Sequence, residues 1–290
     1  MTDQDNRGLL VLIVAYRADD HLEQCLTAVG DGARVVVVDN DASERTRGIV
    51  TPAGGQYVAT ASNLGFAAAV NVGLAAAWDG VSDVLLLNPD ARISIDDVRR
   101  LQVALRNSAA DLGAVGPRLV DEAGCQQRAD WPLPSPAQLW LEALGAARLW
   151  RGRRFVVGAV LLLRAEAVQQ VGNLDERYFL YAEEADWQLR AQRAGWSVAV
   201  VNGVTAQHVG SASSSDPELR ERLFHGSAET FARRWYGPRG WWLMRLAAIV
   251  AALRRSVVGS AGSRATSRRA LRLYLRGPRK VADMTRRQLA

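Results

Sequence analysis

Lysine is nearly missing from this chain. Lys280 is the only one, and every other positive side chain is Arg, a bias a GC-rich genome would produce. Cysteine is scarce as well. Cys25 and Cys125 make no disulfide framework and show no metal-type spacing, so a reducing cytosol is the expected compartment. No run of 18 apolar residues exists, and no transmembrane helix is predicted. Met1–Arg7 is polar and acidic, and Leu9–Ala15 is too short and poorly flanked to be a secretory signal. The Gly-x-Gly-x-x-Gly dinucleotide pattern is absent, as are internal repeats and any recognised nucleic-acid module. Nucleic acid is therefore not an expected partner.

What is present suits a globular protein. Hydrophobic residues make up 49% and charged ones 23% of 290 residues, enough for a sizeable core in one large domain or one domain with an appendage. The net charge of +6 hides a split. Residues 237–290 carry 13 Lys+Arg against Asp283 alone, whereas residues 1–236 carry 23 Arg against 29 acids. A mildly acidic body thus precedes a strongly basic tail.

Residues 8–15 form a continuous apolar run of the kind buried on both faces of a sheet. Asp19 or Asp20 can cap a helix carrying Leu22, Leu26 and Val29. Strands are expected at 34–38, 56–59 and 84–87, with an Ala-rich helix at 67–78 between the last two. This order predicts a mostly parallel sheet with helices on both faces. Ligands should gather past the strand ends, at Tyr16, Asp39, Asn63 and Asp90. Further on, helices are expected at 96–106, 137–147, 165–171, 186–195 and 218–235, and strands at 112–117, 155–164 and 197–201. A Ser-rich loop covers 211–217.

Several motifs carry chemistry, each with a plainer reading beside it. Asp39-Asn40 is either a turn or an acceptor for a pyrimidine imide or ribose hydroxyl. Asn63-x-Gly65-Phe66, with Asn71 downstream, is either a helix cap or a place where backbone approaches a diphosphate. Asn88-Pro89-Asp90 ends a buried strand. Asp90 is either a turn residue or a ligand for Mg²⁺ or Mn²⁺, with diphosphate oxygens completing the shell. Glu183, Glu184 and Asp186 crowd together beside Tyr181 and Trp187. They are either a solvated helix start or a cluster in which one carboxylate has a raised pKa and deprotonates a hydroxyl. His208 is either structural or a metal ligand. His21 and His225 fall on polar helix faces and carry no expected role. Trp241-Trp242-Leu243-Met244-Arg245-Leu246, followed by repeated Arg, is either a helix packed on the body or an interfacial helix on an anionic membrane.

Together these segments resemble the family 2 glycosyltransferases, and more narrowly the rhamnosyltransferase-like branch. The carrying segments are 14–17 (Val-Ala-Tyr-Arg), 37–40, 62–67 with Asn71, 86–90, 157–159 (Val-Gly-Ala) and 171–190. The resemblance implies an α/β fold: a mostly parallel, Rossmann-like sheet of the nucleotide-sugar transferase type A class. Residues 1–236 would be catalytic, with 8–110 the nucleotide-sugar half and 111–236 the acceptor half, and 237–290 a basic helical extension.

The resemblance also assigns roles. Ala15, Tyr16, Arg17, Asp39, Asn40, Asn63, Gly65, Phe66, Asn71 and Asn88 would bind the nucleotide-sugar. Gly158, Ala159, Tyr181 and Trp187 would meet the acceptor, with 121–154 and 209–220 shaping its site. Asp90 and His208 would hold Mg²⁺ or Mn²⁺. Glu184 would be the base, with Glu183 and Asp186 beside it. Asn88 departs from the family's Asp-x-Asp motif, Glu184 stands where Asp is usual, and Ala42 replaces a Ser. The implied enzyme is a metal-dependent, inverting hexosyltransferase using a dTDP- or UDP-sugar, with rhamnose or another deoxysugar favoured. Its acceptor would be a hydroxyl on a glycan, lipid-linked or not, or on a natural product. Its expected place is the cytoplasm, peripheral on the inner face of the cell membrane. A nucleotide-sugar-binding protein with a decayed site and a peripheral membrane assembly protein are the alternatives. A nucleotidylyltransferase would need a Gly-rich loop with Arg and Lys after the first strand, which is missing.

Overall fold

The computed structural model describes residues 8–108, 111–210, 216–258 and 261–289. The acidic residues 1–7 and the Ser-rich segment 211–215 lie outside the described residues. In chain order the elements are β1 (Leu9–Ala15), α1 (Asp19–Val29), β2 (Arg34–Asp39), α2 (Glu44–Val50), β3 (Gln56–Ala59), α3 (Phe66–Ala77), β4 (Asp83–Leu87), β5 (Ala91–Arg92), α4 (Ile95–Asn107) and β6 (Leu112–Val120). Then come β7 (Gln126–Gln127), β8 (Asp130–Pro132), α5 (Pro136–Ala143), β9 (Arg154–Val156), β10 (Val160–Leu163), α6 (Ala165–Val171), α7 (Glu183–Arg193), β11 (Ser197–His208), α8 (Pro217–Val258), α9 (Ala261–Arg276) and α10 (Pro278–Leu289). The chain divides into two compact units. The first comprises 1–131, 155–176 and 183–215, and the second 132–154, 177–182 and 216 onward.

The first unit is built on a nine-stranded sheet of order β3-β2-β1-β4-β10-β6-β11-β5, with β7 beside β6. β3, β2, β1 and β4 run parallel, so Val11 lies opposite both Val35 and Leu85. β10 is antiparallel to β4 and β6, while β11 returns parallel to β6. The sheet is therefore mixed but mostly parallel in its N-terminal half.

The unbroken apolar run of β1 follows from helices on both faces. Leu9, Val11 and Ile13 enter one core with Leu22 and Cys25 of α1 and Leu101 and Leu105 of α4. Leu10, Leu12 and Val14 enter the other with Val70 of α3, Val168 of α6 and Trp187 of α7. Each such fully buried side chain contributes about 1.5–3 kcal/mol. α3 lies so close to the sheet that a Cβ on Gly73 would sit 2.9 Å from Leu12 Cδ1 and Val38 Cγ2. A larger residue there would push the helix off the strands.

A charged cluster joins β4, α4 and α6. Asp83 is fully buried and accepts from the Arg106 guanidinium, Gln102 Nε2 (3.0 Å) and the Ala165 N–H (3.0 Å). Arg106 also binds Glu166 at 2.8 Å. Removing Arg106 would strand the buried charge of Asp83, at a cost of about 3–5 kcal/mol.

Several expected boundaries move. α1 is capped at Ala18 with no side-chain cap bond; Asp19 and Asp20 lie inside its first turn. The run 155–164 is not one strand, because β9 and β10 are separated by Val157-Gly158-Ala159. β6 extends to Val120, and β11 extends to His208 through a register shift after Val201. α5 stops at Ala143, with a single 3₁₀ turn at Ala147–Leu149. α7 begins at Glu183, three residues early. α2 was not expected; Ser43 caps it by accepting the Thr46 N–H.

The second unit is helical. α8 is two segments joined at Gly237, whose φ of 67° is non-helical, with Pro238 opening the second. Trp241 and Met244 pack with Ala232 and Tyr274, and Ala247 and Ala251 pack with Ala143. α9 and α10 show that the basic tail is helical. His225 is not on a solvated face. It sits edge-on to Tyr274, with Nδ1 3.1 Å from Oη, and burial holds its pKa down at about 4. No described helix is long and apolar enough to cross a membrane.

Candidate active site

The turn after β4 is set by Pro89. The Ala91 N–H donates to the Asn88 carbonyl at 3.0 Å, closing a four-residue turn with Pro in its second place. Beneath it, the Cys25 thiol of α1 lies 3.7 Å from the Asn88 oxygen. Burial, then the Asp90 charge, pushes that thiol up to about 12, so it is an inert prop. The turn leaves Asp90 largely buried, accepting the Gly210 N–H at 3.1 Å.

β11 brings His208 to the same point, with Nε2 3.6 Å from Asp90 Oδ1. Gln127 of β7 fixes the ring. Its Nε2 donates to the His208 carbonyl at 2.8 Å, leaving Oε1 3.2 Å from Nδ1. Nδ1 can then donate to that oxygen, which turns Nε2 towards the Asp90 carboxylate. An imidazole nitrogen and a carboxylate on one spot are both donors that a divalent metal accepts. The pair is thus a fit for a divalent metal that takes few protein ligands. No group of three His, Cys, Asp or Glu side chains placed for a metal exists among the described residues.

The ends of β1 to β3 are tightly tied. The Asp39 carboxylate accepts the N–H groups of Asp41 (3.0 Å) and Ser43 (2.7 Å) and the Tyr57 hydroxyl (2.9 Å). Burial, then Asp39, raises the Tyr57 hydroxyl to about 12. Asp39 therefore does organise a turn. Asn40 is buried too, giving its Nδ2 to the Gly65 carbonyl and accepting from Thr60 Oγ1. Gly65 caps α3 with φ of 80°, and Asn63 Oδ1 accepts its N–H. Phe66 is half-buried. Asn71 is occupied: it donates to the Leu174 carbonyl and to Glu176, and accepts the Leu174 N–H at 3.0 Å. The side chains of Asn40 and Asn71 are thus engaged by the fold's own hydrogen bonds. Tyr16 and Arg17 lie more openly past β1, the guanidinium 5.1 Å over the ring, and Ala15 is buried behind them.

The third part is the start of α7. Glu183 is buried, with Oε2 lacking a hydrogen-bond partner, and burial followed by the Glu184 charge drives its pKa well above the usual carboxylate range. Glu184 is half-buried, and a Cβ built on Gly158 would lie 3.5 Å from its Cβ and Cγ. Next door, the Ala159 carbonyl accepts the Asn88 N–H at 2.9 Å. The break between β9 and β10 therefore joins the Asn-Pro-Asp turn to Glu184. Gly158 and Ala159 are this link.

Two expected side chains do other work. Asp186 is fully buried and paired with Arg190 at 3.0 Å. Trp187 is also buried, its indole N–H donating to the Gly172 carbonyl at 2.9 Å. Neither presents a surface to an acceptor. In the second unit Tyr181 adopts φ of 70° and meets Phe224 edge-on at 5.9 Å. Four non-glycine residues have positive φ among those described: Arg17, Ala42, Tyr181 and Ala182. Such strain gathers at functional sites. The functional residue not anticipated is Gln127, whose amide gives no chemical signal in a sequence.

This mixed, mostly parallel sheet with helices on both faces is that of the type A glycosyltransferase fold. The same architecture occurs in glucosyl-3-phosphoglycerate synthase from Mycobacterium tuberculosis, solved with Mn²⁺, UDP and phosphoglyceric acid. That structure matches at a TM-score of 0.57, covering 81% of each chain at 16% identity. Residues 10–172 match the sequence model of Glycosyl transferase family 2, and the chain belongs to that family.

Among its relatives is the N-acetylglucosaminyl-diphospho-decaprenol L-rhamnosyltransferase of Mycobacterium tuberculosis, 29% identical over 81% of this chain and 86% of that protein. Another is the low-salt glycan biosynthesis hexosyltransferase of Haloferax volcanii, 24% identical over 69% of this chain. The match spans 66% of the Haloferax protein's length. Both are in keeping with a rhamnosyltransferase-like branch.

Proposed function

We propose that this glycosyltransferase moves a deoxysugar, with inversion, from a dTDP-sugar such as dTDP-rhamnose to a hydroxyl of a lipid-linked glycan. The observation that carries the reading is the link from Asn88 through Ala159 and Gly158 to Glu184. It holds a base candidate beside the strand end where Asp90 and His208 sit. Similarity to a rhamnosyltransferase acting on a decaprenol-linked substrate supports the sugar and the acceptor class.

Glu184 takes the proton of the acceptor hydroxyl, whose oxygen attacks the anomeric carbon from the face opposite the nucleotide. Burial raises the pKa of Glu183 and disfavours a second charge beside Glu184. Tyr16, Arg17, Asn63 and Phe66 form the rim that receives the nucleotide, on a frame held by Asp39, Asn40 and Asn71. Mg²⁺ or Mn²⁺ held by Asp90 and His208 would neutralise charge on the departing diphosphate. Residues 8–110 supply the donor half, 111–236 the acceptor half, and the basic extension from 237 faces the inner surface of the cell membrane.

The test is nucleotide diphosphate release and thermal shift with UDP-, dTDP- and GDP-sugars, with and without Mn²⁺ or Mg²⁺. Metal-dependent release from dTDP-rhamnose is expected. Glu184→Gln should lower turnover about 10²–10⁴-fold while donor binding persists. Binding without turnover towards any hydroxyl acceptor would favour the decayed-site alternative. No shift with any donor would overturn the reading.

A further inference from the structure

The second segment of α8, 238–258, is apolar on two opposite faces. Trp241, Met244, Ala247 and Ala251 point into the second unit. On the other side Trp242 (60% exposed), Leu243 (51%), Leu246 (50%), Leu253 (48%) and Val257 (77%) are bare. Offsets of 0, 1, 4, 11 and 15 residues put these five on one helical stripe, about 22 Å long at 1.5 Å per residue. A helix buried on one side normally turns polar residues to water on the other. An apolar stripe of this length marks a docking surface.

Charge identifies the occupant. No Asp or Glu occurs between Glu229 and Asp283, a stretch that holds Arg239, Arg245 and Arg254 on this helix. Arg245 lies 4.6 Å over the Trp242 ring, placing a cation at the stripe's edge. A second copy pairing through this face would bring identical cationic flanks together, which is repulsive. An anionic lipid surface complements them instead: apolar side chains enter the headgroup–acyl boundary while Arg takes the headgroups.

We propose that the exposed face of α8 between Trp242 and Val257 docks this chain on an anionic bilayer. This narrows the membrane contact from the whole basic tail to one stripe, and excludes Trp241 and Met244, which point inward. The inference does not rest on sugar transfer, so it stands or falls separately from the proposed activity.

The experiment is flotation of the full chain with phosphatidylcholine vesicles, with and without phosphatidylglycerol. Binding is expected only with the anionic lipid, weakening as salt rises. Leu246→Ser with Leu253→Ser should reduce binding about tenfold or more, with unchanged melting temperature. Trp242→Phe should lose much of the quenching of tryptophan fluorescence by brominated lipid. Should the serine pair fail to fold, Val257→Asp at the most exposed position gives the same readout. Equal binding by wild type and these variants would overturn the proposal. So would a salt-resistant dimer, without vesicle binding, that the serine pair splits; it would assign the face to a second copy.

Discussion

Replacing Glu183 by Gln should make the protein more stable, and increasingly so as the pH rises. The carboxyl is buried at the head of α7 and its pKa is raised well above 4.5, first by burial and then by Glu184. In the unfolded chain it titrates near 4.5. Between that pH and the raised folded value, the native state binds one proton that the unfolded state has lost. Stability therefore falls as pH rises through this window, by at most about 1.4 kcal/mol per pH unit. Gln keeps the shape and has no proton to lose. For a chain of this size about 1 kcal/mol moves Tm by about 2–4 °C, so the gap between variant and wild type should widen by up to about 3–6 °C per pH unit from 4.5 until the raised folded value is reached.

Titrating groups that do not interact with Glu183 cancel in the comparison. His225, held down at about 4, has the opposite sign: its contribution is complete above pH 6.5 and is lost as pH falls towards 4. Glu166 and Asp79, both lowered to about 2, lose their contribution only in acid. All three are present in both proteins. Thermal melting of the pair from pH 4.5 to 8 reads the difference. A gap that stays constant across that range would refute a buried, proton-retaining Glu183.

Gln127→Leu should weaken Mn²⁺ binding about 10–100-fold, measured by calorimetry, because the His208 ring loses its orienting partner; the melting temperature should hardly change. Asn71→Ala should destabilise by about 2–3 kcal/mol, measured by urea unfolding, since it leaves the buried amide and carbonyl of Leu174 without partners. Trp187→Phe should cost about 1 kcal/mol through loss of the Gly172 bond and leave acceptor KM unchanged; a rise in KM without destabilisation would return Trp187 to the acceptor site.

The strands were legible where burial on both faces leaves a continuous apolar run, as in β1, β2 and β4. The Ala-rich α3 was legible for a related reason: close packing on the sheet selects small residues. What escaped had mixed signals. α2 is seven residues long with Gly48 in its middle, too short for a periodic stripe to show. The break at Gly158 hides in an apolar run because hydrophobicity does not report backbone direction. β11 continues past Asn202-Gly203, which reads as a turn in sequence. For the site, chemistry-bearing types pointed to Asp90 and His208, which the fold brings within 3.6 Å of each other, and to Glu184. The same reasoning did not foresee that Asn71, Asp186 and Trp187 are tied into the fold, because a polar or aromatic group that satisfies the fold looks like one that awaits a ligand.

Tyr181 and Ala182, consecutive residues in the left-handed region, immediately precede Glu183 and Glu184. Each stores about 1 kcal/mol that glycine would release. An engineer seeking thermostability would find Ala182→Gly among the easiest gains, and it lies next to the candidate base. Added backbone freedom there would loosen the aim of Glu184 while hardening the fold. Melting temperature and turnover should therefore move in opposite directions along any series of substitutions at this pair.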